Sequence, residues 1–176
     1  GFSSKAVDSI LMRFVDLMMA IPTIFLILTI QVILTPSIWN VMIVIGLTSW
    51  MGVTRIVRAE VLSIREQLFI TAAKARGISN TKLLFKHILP HTLPPVIVAA
   101  TLGMGSAILT ESVLSFLGLG VQPPDASWGN MLDNSLGYMR ESPWMAIVPG
   151  TFITLTVLAL NILGDDCRAK FNPKES

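Results

Sequence analysis

The sequence predicts an all-α, polytopic membrane protein with about four transmembrane helices and one long helical loop on the cytoplasmic side. Three observations carry that reading. Of 176 residues, 52% are hydrophobic and only 14% are charged, against roughly 25% charged in an ordinary soluble domain. The charges are also segregated: Asp, Glu, Lys and Arg are absent from 17–54 and 142–164, and Glu111 alone interrupts 91–124. Finally, the basic residues fall unequally on the loops between those stretches, which sets an orientation.

Each uncharged stretch holds at least one span, because about 20 apolar residues rising ~1.5 Å each cross the hydrocarbon core. The first stretch is long enough for two. Thr35-Pro36-Ser37 is its natural break, since proline cannot continue a helix and Ser37 can cap the next one. The expected spans are 17–34, 38–54, 92–118 and 143–163, leaving a loop at 55–91 and another at 119–142.

Between residues 55 and 91 the basic residues Arg55, Arg58, Arg65, Lys74, Arg76, Lys82 and Lys86 are opposed only by Glu60 and Glu66. Such an excess places the loop in the cytoplasm. The 119–142 loop carries Asp125, Asp133, Arg140 and Glu141 and is expected outside. Both termini then lie in the cytoplasm, in keeping with Lys5 and Arg13 at one end and Arg168, Lys170 and Lys174 at the other. Trp39, Trp128, Tyr138 and Trp144 fall near the outer boundary, where amphipathic rings suit the interface. The net charge of +2 is therefore a matter of topology, and nothing in it points to nucleic acid. The single cysteine, Cys167, cannot form an internal disulfide.

Inside the third span Ala99, Gly103 and Ala107 recur every four residues, a stripe on which a neighbouring backbone can approach closely. The neighbour is either another span of this chain or a sister subunit or pore wall. Glu111 lies near the middle of the same helix beside Thr110, Ser112 and Ser115. A carboxyl at that depth costs roughly 2.5–3.5 kcal/mol on insertion scales unless it finds a partner or a cavity. A hydrogen-bonded structural role is preferred over a pathway role, because no other span offers a basic relay partner. Thr29, Gln31 and Asn161 are expected to satisfy neighbouring helices.

No catalytic pair or metal set is visible. His87 and His91 are joined by no cysteine or carboxylate, and Gly118 and Gly120 follow no strand, so they are not a nucleotide fingerprint. No cofactor is expected.

The 55–91 loop carries the functional information. Residues 61–75 favour helix, Gly77 supplies a turn, and Ser79 or Asn80 can cap a second helix running to about Leu89, where Pro90 ends or kinks it. Leu83, Leu84 and His87 or Ile88 share one side of that helix and Lys82 and Lys86 another, the pattern of a helix lying on a membrane surface. The spacing adds more. Ala72-Ala73, three residues, Gly77, nine residues, then His87-Ile88-Leu89-Pro90 resembles the Glu-Ala-Ala signature of permease subunits in bacterial ABC importers, with Thr71 in place of the glutamate and His87 in place of an isoleucine. The segments 114–124, 127–132 and 161–166 are similar to the dipeptide, oligopeptide and nickel branch of that family.

The resemblance covers about 7–168 and implies a chain lacking one or more N-terminal spans. It implies a multi-pass protein of the bacterial inner membrane that does no covalent chemistry. Thr71, Ala72, Ala73, Lys74, Ala75, Arg76, Gly77, Leu89 and Pro90 would form a coupling helix docked on a separate ATPase, with Glu111, Gly103 and Ala107 as intramembrane polar and packing positions. The implied partners are a sister permease, two ATP-binding subunits and an extracytoplasmic substrate-binding protein. Peptides are the expected cargo; nickel or another small solute is the alternative within the branch, and a non-transporting membrane scaffold is the alternative outside it.

Overall fold

A computed structural model describes residues 5–34 and 37–171. The described residues are helical and contain no strand: α1 (Lys5–Met19), α2 (Thr23–Ile33), α3 (Ile38–Arg65), α4 (Leu68–Ala75), α5 (Asn80–Leu83), α6 (Leu89–Phe116), α7 (Trp128–Ser135) and α8 (Trp144–Phe171). A π-helical turn, Leu84–Ile88, joins α5 to α6, and a 3-10 turn, Leu136–Tyr138, follows α7. Three helical stretches are long and apolar enough to cross a bilayer: Ile38–Arg65, Asn80–Phe116 and Trp144–Lys170. A fourth is possible if α1 and α2, bent by 74°, count as one broken span.

That bend corrects the continuous first span expected at 17–34. The chain leaves helical geometry between Met19 and Thr23, and Pro22, with ψ 124°, stands at the start of α2 with no amide to donate backwards. The break proposed at Thr35-Pro36 falls on residues outside the described set. Two other boundaries move for physical reasons. α3 continues unbroken from the apolar stretch through Arg55 and Arg58 to Arg65, because a charged helix in water loses nothing by prolonging an existing one. Pro90 does not end its helix: Asn80–Phe116 runs through it as a single stretch of 37 residues. Proline cannot donate to the carbonyl four residues back, and the wider Leu84–Ile88 turn, closed by Leu89 N–H donating to Leu84 O, takes up the misfit just before it.

The chain forms two compact units. Of the described residues, the first comprises 5–20, 50–100 and 165–171, the second 21–34, 37–49 and 101–164. In the first, Val61 and Ile64 of α3 meet Ile70 and Ala73 of α4 and Leu83 and Ile88 beyond the turn, all buried, with Val57, Ile78 and Leu84 packed around them. α1 lies against α3 through Asp8 with Arg58, Asp16 with Arg55, and Phe14 stacked on Trp50 with centroids 6.5 Å apart.

In the second unit Ile27, Val41, Val44 and Leu114 form the apolar centre. α6 and α8 approach at glycines: a Cβ on Gly164 would sit 2.8 Å from Leu102 Cδ2, and one on Gly105 would touch Val157 and Asn161 at 3.6 Å. Gly103, on the opposite side of α6, has nothing within 4 Å of where a Cβ would be. Packing within the chain therefore uses Gly105 at this level, and Gly103 is left open.

The lone polar residues of the spans fare differently from one another. The hydroxyl of Thr29 donates to Phe25 O of its own helix at 2.7 Å, as a buried or lipid-facing threonine can. Gln31, only 1% exposed, makes no hydrogen bond with either amide atom, against the expectation that it would satisfy a neighbouring helix.

Candidate functional site

The 55–91 loop is a helical hairpin with a defined turn. α3 closes with Gln67 N–H donating to Ile64 O at 3.1 Å, and α4 begins directly. At its far end Gly77 takes φ +74°, Gly77 N–H donates to Lys74 O at 2.9 Å and Ile78 N–H to Ala73 O at 3.3 Å. Those two bonds with a left-handed glycine constitute a Schellman cap, and the Ile78 side chain completes it against the Ala73 cluster. Of the two capping candidates it is Ser79 that serves, its hydroxyl accepting from Lys82 N–H. Leu83 and Ile88 are wholly buried against α3 and α4, and Leu84 is partly so. The apolar side expected to lie on the membrane is thus occupied by the hairpin's own core.

This packing separates two adjacent alanines. Ala73 points inward and is 8% exposed among Ile64, Ile70 and Leu83, whereas Ala72 points outward. Thr71, Lys74, Ala75, Arg76 and Gly77 are also exposed, so the tip offers small and basic groups on one side of α4. Leu89 and Pro90 are exposed at the entry to α6. The spacing did not single out Leu68, 88% exposed, or Phe85, 62% exposed, which give the same hairpin exposed apolar points. Phe69 is held by His91, rings 5.5 Å apart.

At the other end of α6 a second Schellman cap appears. Gly118 has φ +73°, its N–H donates to Ser115 O at 3.0 Å, and Leu119 N–H donates to Leu114 O at 2.9 Å. The returning chain is then fastened to the helix. Ser115 Oγ donates to Glu111 Oε1 at 2.6 Å and accepts from Val121 N–H at 2.9 Å, so the half-buried carboxyl is linked through one hydroxyl to the loop backbone. Gly120 and Gly129 are where the loop touches: a Cβ on the first would lie 2.6 Å from Ser115 N, and on the second 2.6 Å from Ser112 O. Asn130 holds the loop from inside, donating to Val121 O and Asp125 O at 3.3 and 2.9 Å and accepting from Ser127 N–H in a capping box. Trp128 stacks on Phe152 of α8, while Trp39, Tyr138 and Trp144 are exposed.

Among the described residues no group of His, Cys, Asp or Glu is placed to hold a metal. Each of the two caps is defined by a left-handed glycine, Gly77 after α4 and Gly118 after α6.

The described residues define a helical membrane protein whose candidate spans are joined by a packed helical hairpin. The match to known proteins makes this specific. Residues 1–175 fit the family described as binding-protein-dependent transport system inner membrane component, and the chain belongs to that family. It is 44% identical over 174 residues to a dipeptide transport system permease protein of Alkalihalophilus pseudofirmus, covering 99% of this chain and 57% of that protein. It is 36% identical over 174 residues to an oligopeptide transport system permease protein of Bacillus subtilis, with the same coverages. A di/tripeptide transport system permease protein of Pseudomonas aeruginosa is 39% identical over 174 residues, again 99% and 57%. The chain thus spans somewhat more than half the length of these curated relatives. It is a multi-pass inner-membrane component, and its family is one of transport proteins, not enzymes.

Proposed function

We propose that this chain is a permease subunit of a bacterial ABC importer of peptides, and that the 68–90 hairpin couples its spans to a separate ATPase. The observation that carries the reading is the hairpin itself. Its apolar residues are satisfied internally, its turn is locked by Gly77, and it presents Thr71, Ala72, Ala75 and Arg76 outward. A preformed, small-residue surface on a stiff lever suits transmission of motion, since little ordering is needed on docking.

In this reading the hairpin faces the cytoplasm and both ends of the chain lie on that side. The partners are a sister permease, two ATP-binding subunits and an extracytoplasmic binding protein that would dock on the 119–142 loop. Gly103 and Ala107 then belong to the contact with the sister subunit or the path, and Glu111 acts as a structural hydrogen-bonding group. The relatives named for dipeptides and oligopeptides favour peptide over nickel as cargo.

The test is reconstitution of the complete complex in proteoliposomes with its binding protein. ATP-dependent accumulation of a labelled dipeptide is expected. Accumulation of nickel alone would shift the reading to the alternative cargo, and an assembled complex that moves neither would leave a scaffold.

A further inference from the structure

Between α1 and the C-terminal turns of α3 lies an open cleft of about 750 Å³. Lys5, Arg13, Arg55 and Arg58 line it, against the two carboxylates Asp8 and Asp16. A second cavity of about 380 Å³ shares Lys5, Asp8 and Arg58 with the first and adds Arg65 and Lys74 against Glu66. The carboxylates facing the first cavity are already engaged. Arg58 grips Asp8 Oδ2 with Nε at 3.1 Å and Nη2 at 2.8 Å, and Arg55 Nη2 holds Asp16 Oδ1 at 2.6 Å. Arg55 is bound through one nitrogen and keeps its other donors, and Lys5 and Arg13 have no ion-pair partner among the described residues. The cleft is left with surplus cationic donors.

The opposite side of α1 is apolar and largely exposed, with Phe14 stacked on Trp50 at its edge. Val7, Ile10, Leu11, Phe14 and Leu17 follow one another at helical spacing and are 45–71% exposed. One helix thus carries a cationic cleft on one face and an exposed apolar stripe on the other, the pattern of a helix at a bilayer interface. Arg13, three residues after Ile10 and four before Leu17, stands at the border, where its stem can follow the stripe and its guanidinium stay at head-group depth.

We propose that the cleft binds the head-group phosphate of an anionic phospholipid whose chains lie along Ile10, Phe14 and Leu17. Guanidinium and ammonium donors suit phosphate oxygens, and the adjoining apolar stripe distinguishes a lipid from an acidic protein segment. The inference places α1 at the cytoplasmic leaflet, as in the orientation proposed above, but does not depend on what is transported.

The complete complex, purified from phosphatidylcholine membranes containing phosphatidylglycerol, supplies the test, with phosphatidylglycerol retained per complex as the readout. Joint Lys5→Gln and Arg13→Gln replacement is expected to lower retention by up to roughly twenty-five-fold, about fivefold for each basic residue near the surface. The charge-preserving pair Lys5→Arg and Arg13→Lys should retain the lipid, which separates lost charge from lost folding. Lys82→Gln with Lys86→Gln, an equal charge change elsewhere, should leave retention within about twofold, on the footing that surface pairs away from the site act weakly. Equal loss in both glutamine pairs, displacement of the lipid by millimolar glycerol phosphate, or unchanged retention accompanied by lost ATPase association would each overturn the proposal, the first as general surface charge, the second as a free-anion site and the third as a protein contact.

Discussion

Ala72 and Ala73 are neighbours in sequence and opposites in the fold, and that contrast allows docking to be separated from folding. Ala73 is 8% exposed and surrounded by Ile64, Ile70, Leu83 and Ile88, with its carbonyl accepting from Ile78 in the turn. Replacing it with leucine adds three carbons to a packed site, a change that costs typically 1–3 kcal/mol. Ala72 is exposed, and Ala72→Leu should fall within about 0.5 kcal/mol of no effect. The hairpin's amides report the difference by hydrogen exchange, because local opening exposes Ile78 and Ile88 together. Ala73→Leu should lower their protection by roughly five- to 150-fold, the equilibrium equivalent of 1–3 kcal/mol, whereas Ala72→Leu should leave it unchanged. Ala72→Trp, which adds bulk outside the core, should likewise preserve protection yet reduce co-purification of the ATPase. Equal loss of protection in the Ala72 and Ala73 variants, or none in Ala73→Leu, would refute the division of the two alanines into an outward and an inward residue.

Glu111→Gln keeps an acceptor for Ser115 Oγ and should preserve assembly and uptake, while Glu111→Leu removes it and should lower the thermal stability of the complex by about 1–3 kcal/mol; loss of uptake in a fully assembled glutamine variant would instead assign the charge a direct role. Gly120→Ala forces a methyl to within 2.6 Å of Ser115 N and should destabilise the 114–138 segment by more than 1 kcal/mol, whereas Gly137→Ala, with nothing within 4 Å, should be silent in the same thermal melt. Ser79→Cys and Asn134→Cys in a Cys167→Ser background should react with impermeant maleimide from opposite sides of the membrane, and labelling of both from outside intact cells would overturn the orientation.

The helical membrane fold was legible because its signals are local and additive. Long runs without charge need no tertiary information to be read as spans, and Gly77 and Ser79 announced the turn through backbone preferences that the structure realises as φ +74° and a hydroxyl cap. The 74° bend near Pro22 and the passage of the helix through Pro90 were not legible, whereas Pro94 and Pro95 lie inside the span expected at 92–118. Proline removes the same donor in each case, and whether a helix breaks or widens depends on what neighbouring turns can absorb. The Leu84–Ile88 turn does so for Pro90, and Thr92 Oγ1 adds a bond to Leu89 O at 2.8 Å in the turn that follows. Burial was the other gap. Small residues at 72 and 73 look alike in sequence, as do Gly103 and Gly105, and only the packing of α3 on α4 and of α6 on α8 tells which of each pair faces the chain's own core.

Contact between the hairpin and an ATPase is the central claim, and site-directed cross-linking measures it most directly. With Cys167 replaced by serine, Ala72→Cys carries a thiol on the exposed side of α4, and a short photoactivatable cross-linker attached there should capture the ATP-binding subunit in the assembled complex. The yield should change between the nucleotide-free and ATP-bound states if the hairpin transmits motion. The same probe at Asn134→Cys should capture no ATPase. Capture of lipid alone from position 72, in a complex that still hydrolyses ATP and takes up substrate, would contradict the account and reduce the hairpin to a connector between spans.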